Sequence, residues 1–253
     1  MEKIGIATQI YPLRVDAAKD LFAVLDGIRA AGYDGVEFIP GFKQSAAEIR
    51  KHADGIGLRV VSGHVSLNQL AEDLGPIIDH HRALGCEFIV LGFLAEADRH
   101  NGPGFARTLD IVAKAAEDCL AAGMPLAYHN HNFEFRNVTG NNGVELLLEG
   151  ASALQAQFDT GWLGIAGQDP VAWLGKYAGR YLSVHLKDYL STDGADGHDF
   201  CPIGMGALDY RAIVRAGIAG GAKWLIVDQD ADARRPMMEA LKLSRDFLRS
   251  LGF

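Results

Sequence analysis

Short apolar runs alternate with amphipathic helical stretches along the whole chain. In several places a glycine ends a helix and a hydrophobic run follows at once, first at Gly32 and again at Gly57, Gly85, Gly123 and Gly221. Glycine suits this position because the residue after a helix often needs a positive φ. The runs are uniformly apolar rather than alternating, which is typical of strands in a parallel sheet that is buried on both faces.

The repeat predicts eight strands separated by helices. Such alternation indicates a parallel sheet, and eight units of this kind close naturally into a (β/α)8 barrel, or TIM barrel, of the α/β class. A doubly wound open sheet is the alternative, but no G-x-G-x-x-G follows the first strand. No linker interrupts the pattern, so we expect a single domain spanning residues 1–253. The predicted strands cover residues 4–9, 35–39, 58–62, 87–92, 125–129, 155–159, 181–185 and 224–228.

The helices between these strands show the expected 3.6-residue period and recognisable ends. Asp16 is the predicted N-cap of the helix that contains Leu21, and Ser45 and Glu48 have the spacing of a capping box. The long segments 93–105 and 189–206 are rich in Gly, Asp and His, and we expect them to be loops over one barrel face. One face of a longer helix is predicted to be apolar at Leu109, Val112, Ala116 and Leu120.

Composition and charge narrow the classes of function. The net charge is −8, and the basic residues are scattered, which argues against a nucleic-acid partner because phosphate contacts select basic surfaces. Cys86, Cys119 and Cys201 are odd in number and widely spaced, which predicts neither a disulfide framework nor a structural zinc site. No stretch approaches the roughly 18 apolar residues of a membrane helix or has the character of a signal peptide. We therefore expect a soluble cytoplasmic protein without a membrane partner.

Polar side chains follow the late strands, where the chemistry of such barrels lies. Because adjacent strand ends are about 5 Å apart, these side chains can converge. A single His or Asp at such a position is often a hydrogen-bonding or capping residue, but four clustered charges need pairing or a metal ion. Two imidazoles and two carboxylates suit manganese, zinc, cobalt or magnesium, with the imidazoles disfavouring magnesium. The predicted ligands are His129, Asp159, His185 and Asp228.

Around these residues the chain resembles the xylose isomerase-like superfamily of sugar phosphate isomerases and epimerases, and the match runs along essentially its whole length. The most specific pieces are YHNHNFEF at 128–135, FDTGW at 158–162, VHLKD at 184–188, GMGALD at 204–209 and IVDQD at 226–230. The resemblance implies a (β/α)8 barrel and a divalent metal, often manganese, with the ligand order Glu, Asp, His, Glu on strands five to eight. Asp159 and His185 match the middle two ligands, whereas the first Glu falls on His129 and the last on Asp228.

The same resemblance implies an activity. It predicts a metal-dependent isomerase or epimerase that acts on a small keto or aldo sugar through an enediolate-type intermediate. In the family's epimerases the two outer glutamates also transfer the proton, which makes His129 and Asp228 the predicted catalytic residues. Their replacement puts that two-base mechanism in doubt. Glu134 is a candidate substitute carboxylate, with a loop hydrogen bond as the alternative.

Further residues at the strand ends are candidates for contact with a sugar. Lys187 shares the side of its strand with His185 and can bind a substrate oxygen, with an ion pair to Asp188 as the alternative. Tyr11 and Trp162 can form an apolar wall for a sugar face, with core packing as the alternative. The remaining substrate-binding candidates are Glu37, His64 and His131. Glu37 and His64 are also candidates for proton transfer.

Other functions remain possible for the same fold. One is a metal-dependent lyase or hydratase acting on a keto-sugar or a 3-keto-glycoside, since stabilising an enolate serves elimination equally well. Another is a non-catalytic sugar-binding barrel that has lost its base. A DNA-repair endonuclease of the same superfamily would want a basic track, which the acidic balance opposes. The expected partner is a small sugar, and dimers are common in this family, which favours a homo-oligomer.

Overall fold

The computed structural model describes residues 4–192 and 198–253, and its strands form a closed barrel. The barrel strands are parallel and follow the order β1-β10-β7-β6-β5-β4-β3-β2, which confirms the predicted (β/α)8 architecture. All eight predicted strands are present, and their ends lie within three residues of those predicted. The strands are β1 Gly5–Gln9, β2 Gly35–Phe38, β3 Arg59–Val65, β4 Phe88–Leu91, β5 Leu126–His129, β6 Gln155–Asp159, β7 Tyr181–Leu186, β8 Asp188–Ser191, β9 Asp199–Cys201 and β10 Trp224–Val227.

Helices surround the barrel and pack their apolar faces against it. Three short 3-10 turns, at Tyr11–Leu13, Glu96–Asp98 and Phe133–Phe135, lie at the strand ends. The α-helices are α1 Arg14–Ala17, α2 Leu21–Ala31, α3 Ala46–Gly55, α4 Leu67–Leu70, α5 Leu74–Leu84, α6 Phe105–Ala121, α7 Gly143–Gly150, α8 Thr160–Ile165, α9 Pro170–Lys176, α10 Tyr210–Ala219 and α11 Met237–Ser250.

Two predictions about helix ends have different outcomes. The capping box at the start of α3 is confirmed, because the Ser45 and Glu48 side chains each bond the backbone N–H of the other residue. The predicted Asp16 cap is wrong, since Asp20 caps α2 and accepts from the backbone N–H of Ala23 at 3.0 Å. Asp16 instead lies within the preceding one-turn helix α1, where its exposed carboxylate pairs with Lys19 at 2.9 Å.

The buried residues of α6 differ slightly from those predicted for its apolar face. Val112 and Ala116 are buried as expected, and Cys119 completes the face. Leu120 is 54% exposed, so its predicted place on the buried face is wrong. The period of 3.6 residues carries Leu120 past the contact with the barrel, whereas Cys119 falls within it.

The loop predicted at 189–206 contains a second, small sheet. Strands β8 and β9 pair in an antiparallel hairpin, with Tyr189 opposite Phe200, and residues 193–197 lie outside the described part of the chain. This hairpin follows directly on β7 and brings the Phe200 ring to the mouth of the barrel, 5.3 Å from the Lys187 ammonium. The other predicted loop, 93–105, holds the 3-10 turn Glu96–Asp98 before α6 begins.

The interior of the barrel is apolar at one end and polar at the other. Side chains alternate along a strand, so every second residue points inward. An apolar cluster fills the lumen below the polar strand ends and separates them from the barrel floor. Its members are Ala7, Val61, Phe88, Val90, Ala127, Leu182, Trp224 and Ile226. Within the described residues, no helix is long and apolar enough to cross a membrane.

Candidate functional site

Four side chains meet at the carboxyl end of the barrel. They come from the last residues of β5 and β6, from β7, and from the residue after β10. All four are buried, and one potential ligand atom from each lies within 4.8 Å of the others. The parallel register explains the convergence, because Asp159 lies opposite His185 and His129 opposite Gln157. The four are the predicted set, His129, Asp159, His185 and Asp228.

Two carboxylate oxygens in this cluster are buried without a hydrogen-bond donor among the described residues. They are Oδ2 of Asp159 and Oδ1 of Asp228. The other Asp159 oxygen is occupied, since Oδ1 accepts the backbone N–H of Trp162 at 2.8 Å and so caps α8. Buried carboxylate oxygens without a partner cost free energy unless a cation meets them. The donor set of two imidazoles and two carboxylates therefore fits a divalent metal ion.

Ionisation within the cluster follows from burial and from neighbouring charges. Burial raises the pKa of Asp159 to about 7. Burial acts in the same direction on Asp228, but the charges of Lys187 and His185 outweigh it, so the pKa of Asp228 lies below its ordinary value. Burial lowers the pKa of His129, and the nearby imidazoles lower it further, which keeps this ring neutral and able to bind a metal.

Lys187 lies among three carboxylates and is 1% exposed. Its Nζ is 2.8 Å from Oδ2 of Asp230, 3.0 Å from Oδ2 of Asp228 and 3.6 Å from Oδ2 of Asp159. Burial opposes the charge, but these carboxylates outweigh it and the pKa of the ammonium lies above its ordinary value. The alternative of an ion pair with Asp188 is wrong, because that carboxylate accepts backbone N–H groups of the 204–208 loop instead.

Glu37 is fully buried beneath the cluster and joins several of its members. Its Oε1 is 2.8 Å from Nε2 of His64 and 2.9 Å from Nε2 of His185. Its Oε2 accepts from Ser62 Oγ at 2.6 Å and from Gln157 Nε2 at 2.7 Å. Burial raises the pKa of Glu37, but the two imidazoles outweigh it and hold the pKa well below its usual range. Both oxygens of Glu37 are thus engaged by protein groups and Glu37 does not line the cavity, while its predicted contact with substrate stays a prediction.

The imidazoles of the cluster are oriented by these buried partners. His129 Nδ1 donates to Gln157 Oε1 at 3.0 Å, which leaves Nε2 facing Asp159, 3.8 Å from Oδ2. His185 lies between two carboxylates, with Nε2 at Glu37 and Nδ1 3.3 Å from Oδ2 of Asp228. Burial lowers the pKa of His185, but Glu37 and Asp228 outweigh it and raise the pKa to about 10. The contacts at these ring nitrogens, a hydrogen bond for His129 and an ion pair for His185, fix the rotation of the rings.

A cavity of about 880 Å³ opens above the cluster. Tyr11, His64, His131 and Lys187 line it, as the sequence predicted for substrate contact. Trp162 is not among the lining residues, because its ring packs behind His131 with the ring centres 5.5 Å apart. The full lining is Gln9, Tyr11, Arg14, Ile39, Pro40, His64, Val65, Ser66, Gln69, Gly92, Phe93, His129, His131, Lys187, Asp228, Asp230 and Ala231.

The segment after β5 is held by a buried carboxyl group. Glu134 accepts the Tyr128 hydroxyl and, at 2.9 Å, the backbone N–H of His131. This confirms the loop hydrogen bond rather than a substitute ligand. Burial raises the pKa of Glu134 to about 7 and lowers the pKa of His131 to about 3. The His131 ring is thus neutral, and it stacks on Phe133 with ring centres 5.0 Å apart.

Three residues of the site were not identified from the sequence as contributors. Ser62, Gln157 and Asp230 each bond a predicted site residue. All three lie two positions from a predicted site residue on the same stretch of chain. The alternation of side chains along a strand puts such neighbours on one face, so this spacing was the signal that could have found them.

Comparisons with known proteins agree with the architecture. Residues 25–251 match the family described as xylose isomerase-like TIM barrel. The inosose dehydratase of Lacticaseibacillus casei is 22% identical over 260 residues, covering 87% of this chain and 86% of that protein. A solved sugar phosphate isomerase/epimerase of Parabacteroides distasonis superposes with a TM-score of 0.85 at 23% identity, covering 99% of this chain and 95% of that one. The IOLI protein with a bound zinc atom has a TM-score of 0.73 at 12% identity, covering 98% of each chain. The chain belongs to the xylose isomerase-like TIM barrel family.

Proposed function

We propose that this protein is a divalent-metal enzyme that removes a proton from the carbon beside a carbonyl in a small keto or aldo sugar. Isomerisation or epimerisation through an enediolate is the first candidate outcome. The supporting observation is one buried oxygen without a hydrogen bond on each of Asp159 and Asp228, within a cluster of two carboxylates and two imidazoles. The cluster lies at the floor of a cavity large enough for a sugar. The solved IOLI protein, which has the same fold, binds a zinc atom, and this supports a metal in this protein.

The residues that would hold the metal are the four of the cluster. His129 offers Nε2, Asp159 offers Oδ2 and Asp228 offers Oδ1. His185 offers Nδ1, because its Nε2 lies against Glu37. Manganese is our first choice, with zinc, cobalt or magnesium as alternatives. A divalent ion bound there supplies a Lewis acid that stabilises negative charge developing on the substrate.

Proton transfer is best assigned to His64. This side chain lines the cavity, and its Nε2 donates to Glu37, which leaves the Nδ1 lone pair as the proton acceptor. A histidine whose other ring nitrogen donates to a carboxylate keeps one lone pair free and can act as a general base. His129 and Asp228 are less suited than their positions suggested, because both would spend lone pairs on the metal.

Dehydration of a keto-sugar is the second candidate. The Asp228 carboxylate is engaged by Lys187 and His185, which lower its pKa and make it a weak base. Epimerisation with two bases is thereby disfavoured, whereas one base at His64 suffices for isomerisation or for elimination. The similarity to an inosose dehydratase, which covers most of both chains, supports elimination of water as the reaction.

Isotope exchange separates these outcomes. The metal-loaded protein is incubated in deuterated water with D-fructose, D-xylulose and a keto-inositol, and the products are followed by mass spectrometry and NMR. Deuterium on carbon without loss of water indicates an isomerase or epimerase, and loss of water indicates a dehydratase. His64→Gln should bind metal normally and lose the exchange. Metal binding with neither exchange nor water loss in any of the three would count against the proposed proton removal.

A further inference from the structure

Lys187 places a permanent positive charge inside the cluster that the metal would occupy. Its ammonium lies 3.0 Å from Oδ2 of Asp228 and 3.6 Å from Oδ2 of Asp159, and both of these carboxylates belong to the proposed metal ligands. Asp230 is outside the ligand cluster and makes the shortest contact with the ammonium, at 2.8 Å. Two cations and three carboxylates thus share one buried site, and the cations repel each other across a few ångströms of protein.

The lysine is fixed in this place by its surroundings. The ammonium lies 5.0 Å from the centre of the Trp162 ring and 5.3 Å from that of Phe200. The stem packs against Gly161, where an added Cβ would be 2.8 Å from both Cβ and Cγ of Lys187. The side chain therefore cannot move far from the carboxylates when a metal binds, although its ammonium can shift toward Asp230.

We propose that Lys187 is a built-in counter-ion that holds the Asp159 and Asp228 carboxylates in place without metal and weakens the binding of the metal to them. Asp230 acts through Lys187, because it draws the ammonium away from Asp228 and so frees that carboxylate for the metal. This inference rests on the metal-binding part of the proposed function. It predicts a site that stays folded when the metal is removed and that exchanges its metal readily.

The test measures stability and metal affinity rather than activity. Lys187→Met keeps the length of the stem and removes the charge. In the presence of EDTA, this variant should unfold several degrees below the wild type, because it leaves buried carboxylates uncompensated. Its affinity for Mn²⁺ or Zn²⁺ by calorimetry should rise about tenfold or more, because the repulsion is gone. Lys19→Met is the matched control, since Lys19 pairs with Asp16 where both side chains are exposed, and it should change neither quantity.

A double-mutant cycle tests the role assigned to Asp230. Asp230→Asn alone should weaken metal binding, because the Lys187 ammonium then interacts more strongly with the Asp228 carboxylate and competes with the metal for it. In the Lys187→Met background the same change should have little effect, whereas a general effect of the Asp230 charge would persist there. If Lys187→Met does not fold, Lys187→Gln takes its place in the cycle, and unchanged or tighter metal binding by Asp230→Asn overturns the idea.

Two results would refute the proposed role of Lys187 as a counter-ion. One is metal affinity in Lys187→Met that is unchanged or weaker, and the other is unchanged stability of that variant in EDTA. A wild-type protein that binds no divalent metal would instead reject the proposed function. The EDTA comparison would still decide whether the lysine holds the carboxylates.

Discussion

Gly92 leaves the Nδ1 nitrogen of His64 open to the cavity. Both residues line it, and a Cβ built at position 92 would lie 2.2 Å from that nitrogen. Any larger residue at the end of β4 would therefore displace the imidazole or cover its free lone pair. The absence of a side chain at position 92 thus leaves His64 accessible for its proposed role as the base.

Gly92→Ala should impair proton removal without affecting the metal. The new methyl group pushes the His64 ring away from its hydrogen bond with Glu37, and misplacement by about 1 Å can lower a rate about 100-fold. The measurement is the rate of deuterium exchange together with metal content. Gly55→Ala, at the end of α3 and outside the cavity lining, has open space around the new methyl group and is the control for glycine loss in general. Normal exchange by Gly92→Ala would argue against His64 as the base.

Glu37→Gln should weaken metal binding although residue 37 is not a ligand. The amide cannot accept from His64, His185, Ser62 and Gln157 together, so His185 loses the partner that fixes its ring. We expect a loss of about 10–100-fold in metal affinity and about 1–3 kcal/mol in the free energy of unfolding. Calorimetry and denaturant unfolding measure the two.

Ser62→Ala provides the comparison for that variant. It removes one donor to Oε2 of Glu37 and leaves both imidazole contacts in place. Its metal affinity should therefore stay close to that of the wild type. An equal loss of affinity in both variants would mean that Glu37 acts through general packing rather than by orienting His185.

The double change Asp159→Ala and His185→Ala should abolish stoichiometric metal binding. It removes one carboxylate and one imidazole from the cluster, and two remaining ligands do not hold a divalent ion tightly. Elemental analysis of protein purified without chelator should show about one divalent ion per wild-type chain and almost none in the variant. Full metal content in the variant would place the metal elsewhere.

His81 should make the stability of the fold depend on pH. This side chain is 5% exposed and donates from Nδ1 to the Ile77 carbonyl at 2.7 Å. Burial lowers its pKa, so the folded chain keeps the ring neutral while the unfolded chain takes up a proton below about pH 6.5. Proton uptake by the unfolded state means that the stabilising contribution is present above that pH and is lost as the pH falls, by up to about 1.4 kcal/mol per pH unit.

His81→Gln isolates this contribution from that of other histidines. The glutamine amide can still donate to the Ile77 carbonyl but does not titrate. Unfolding of both proteins at about pH 7.5 and about pH 5.5 gives the comparison. The wild type should lose more stability than the variant over this interval. An equal loss in both would show that His81 takes up no proton on unfolding.

The order of elements and most of the site could be read from the sequence because both depend on local periodicities. Apolar runs located the barrel strands, five of them directly after a helix-ending glycine, and the polar residue ending each late strand located the cluster. The same reasoning failed where two neighbouring residues suited one structural role equally well. Asp16 and Asp20 are both good caps, and packing of α2 against the barrel chose the second.

The sequence by itself determined the barrel and the identity of the four clustered side chains, since strand order and the facing of side chains follow from alternation along the chain. The tertiary structure alone decided how these charges are compensated. Glu37 and Gln157 are 120 positions apart, and Lys187 and Asp230 are 43 apart, yet each pair is in hydrogen-bond contact. Closure of the barrel sets these contacts, because the register between strands decides which distant side chains share one buried, poorly screened space.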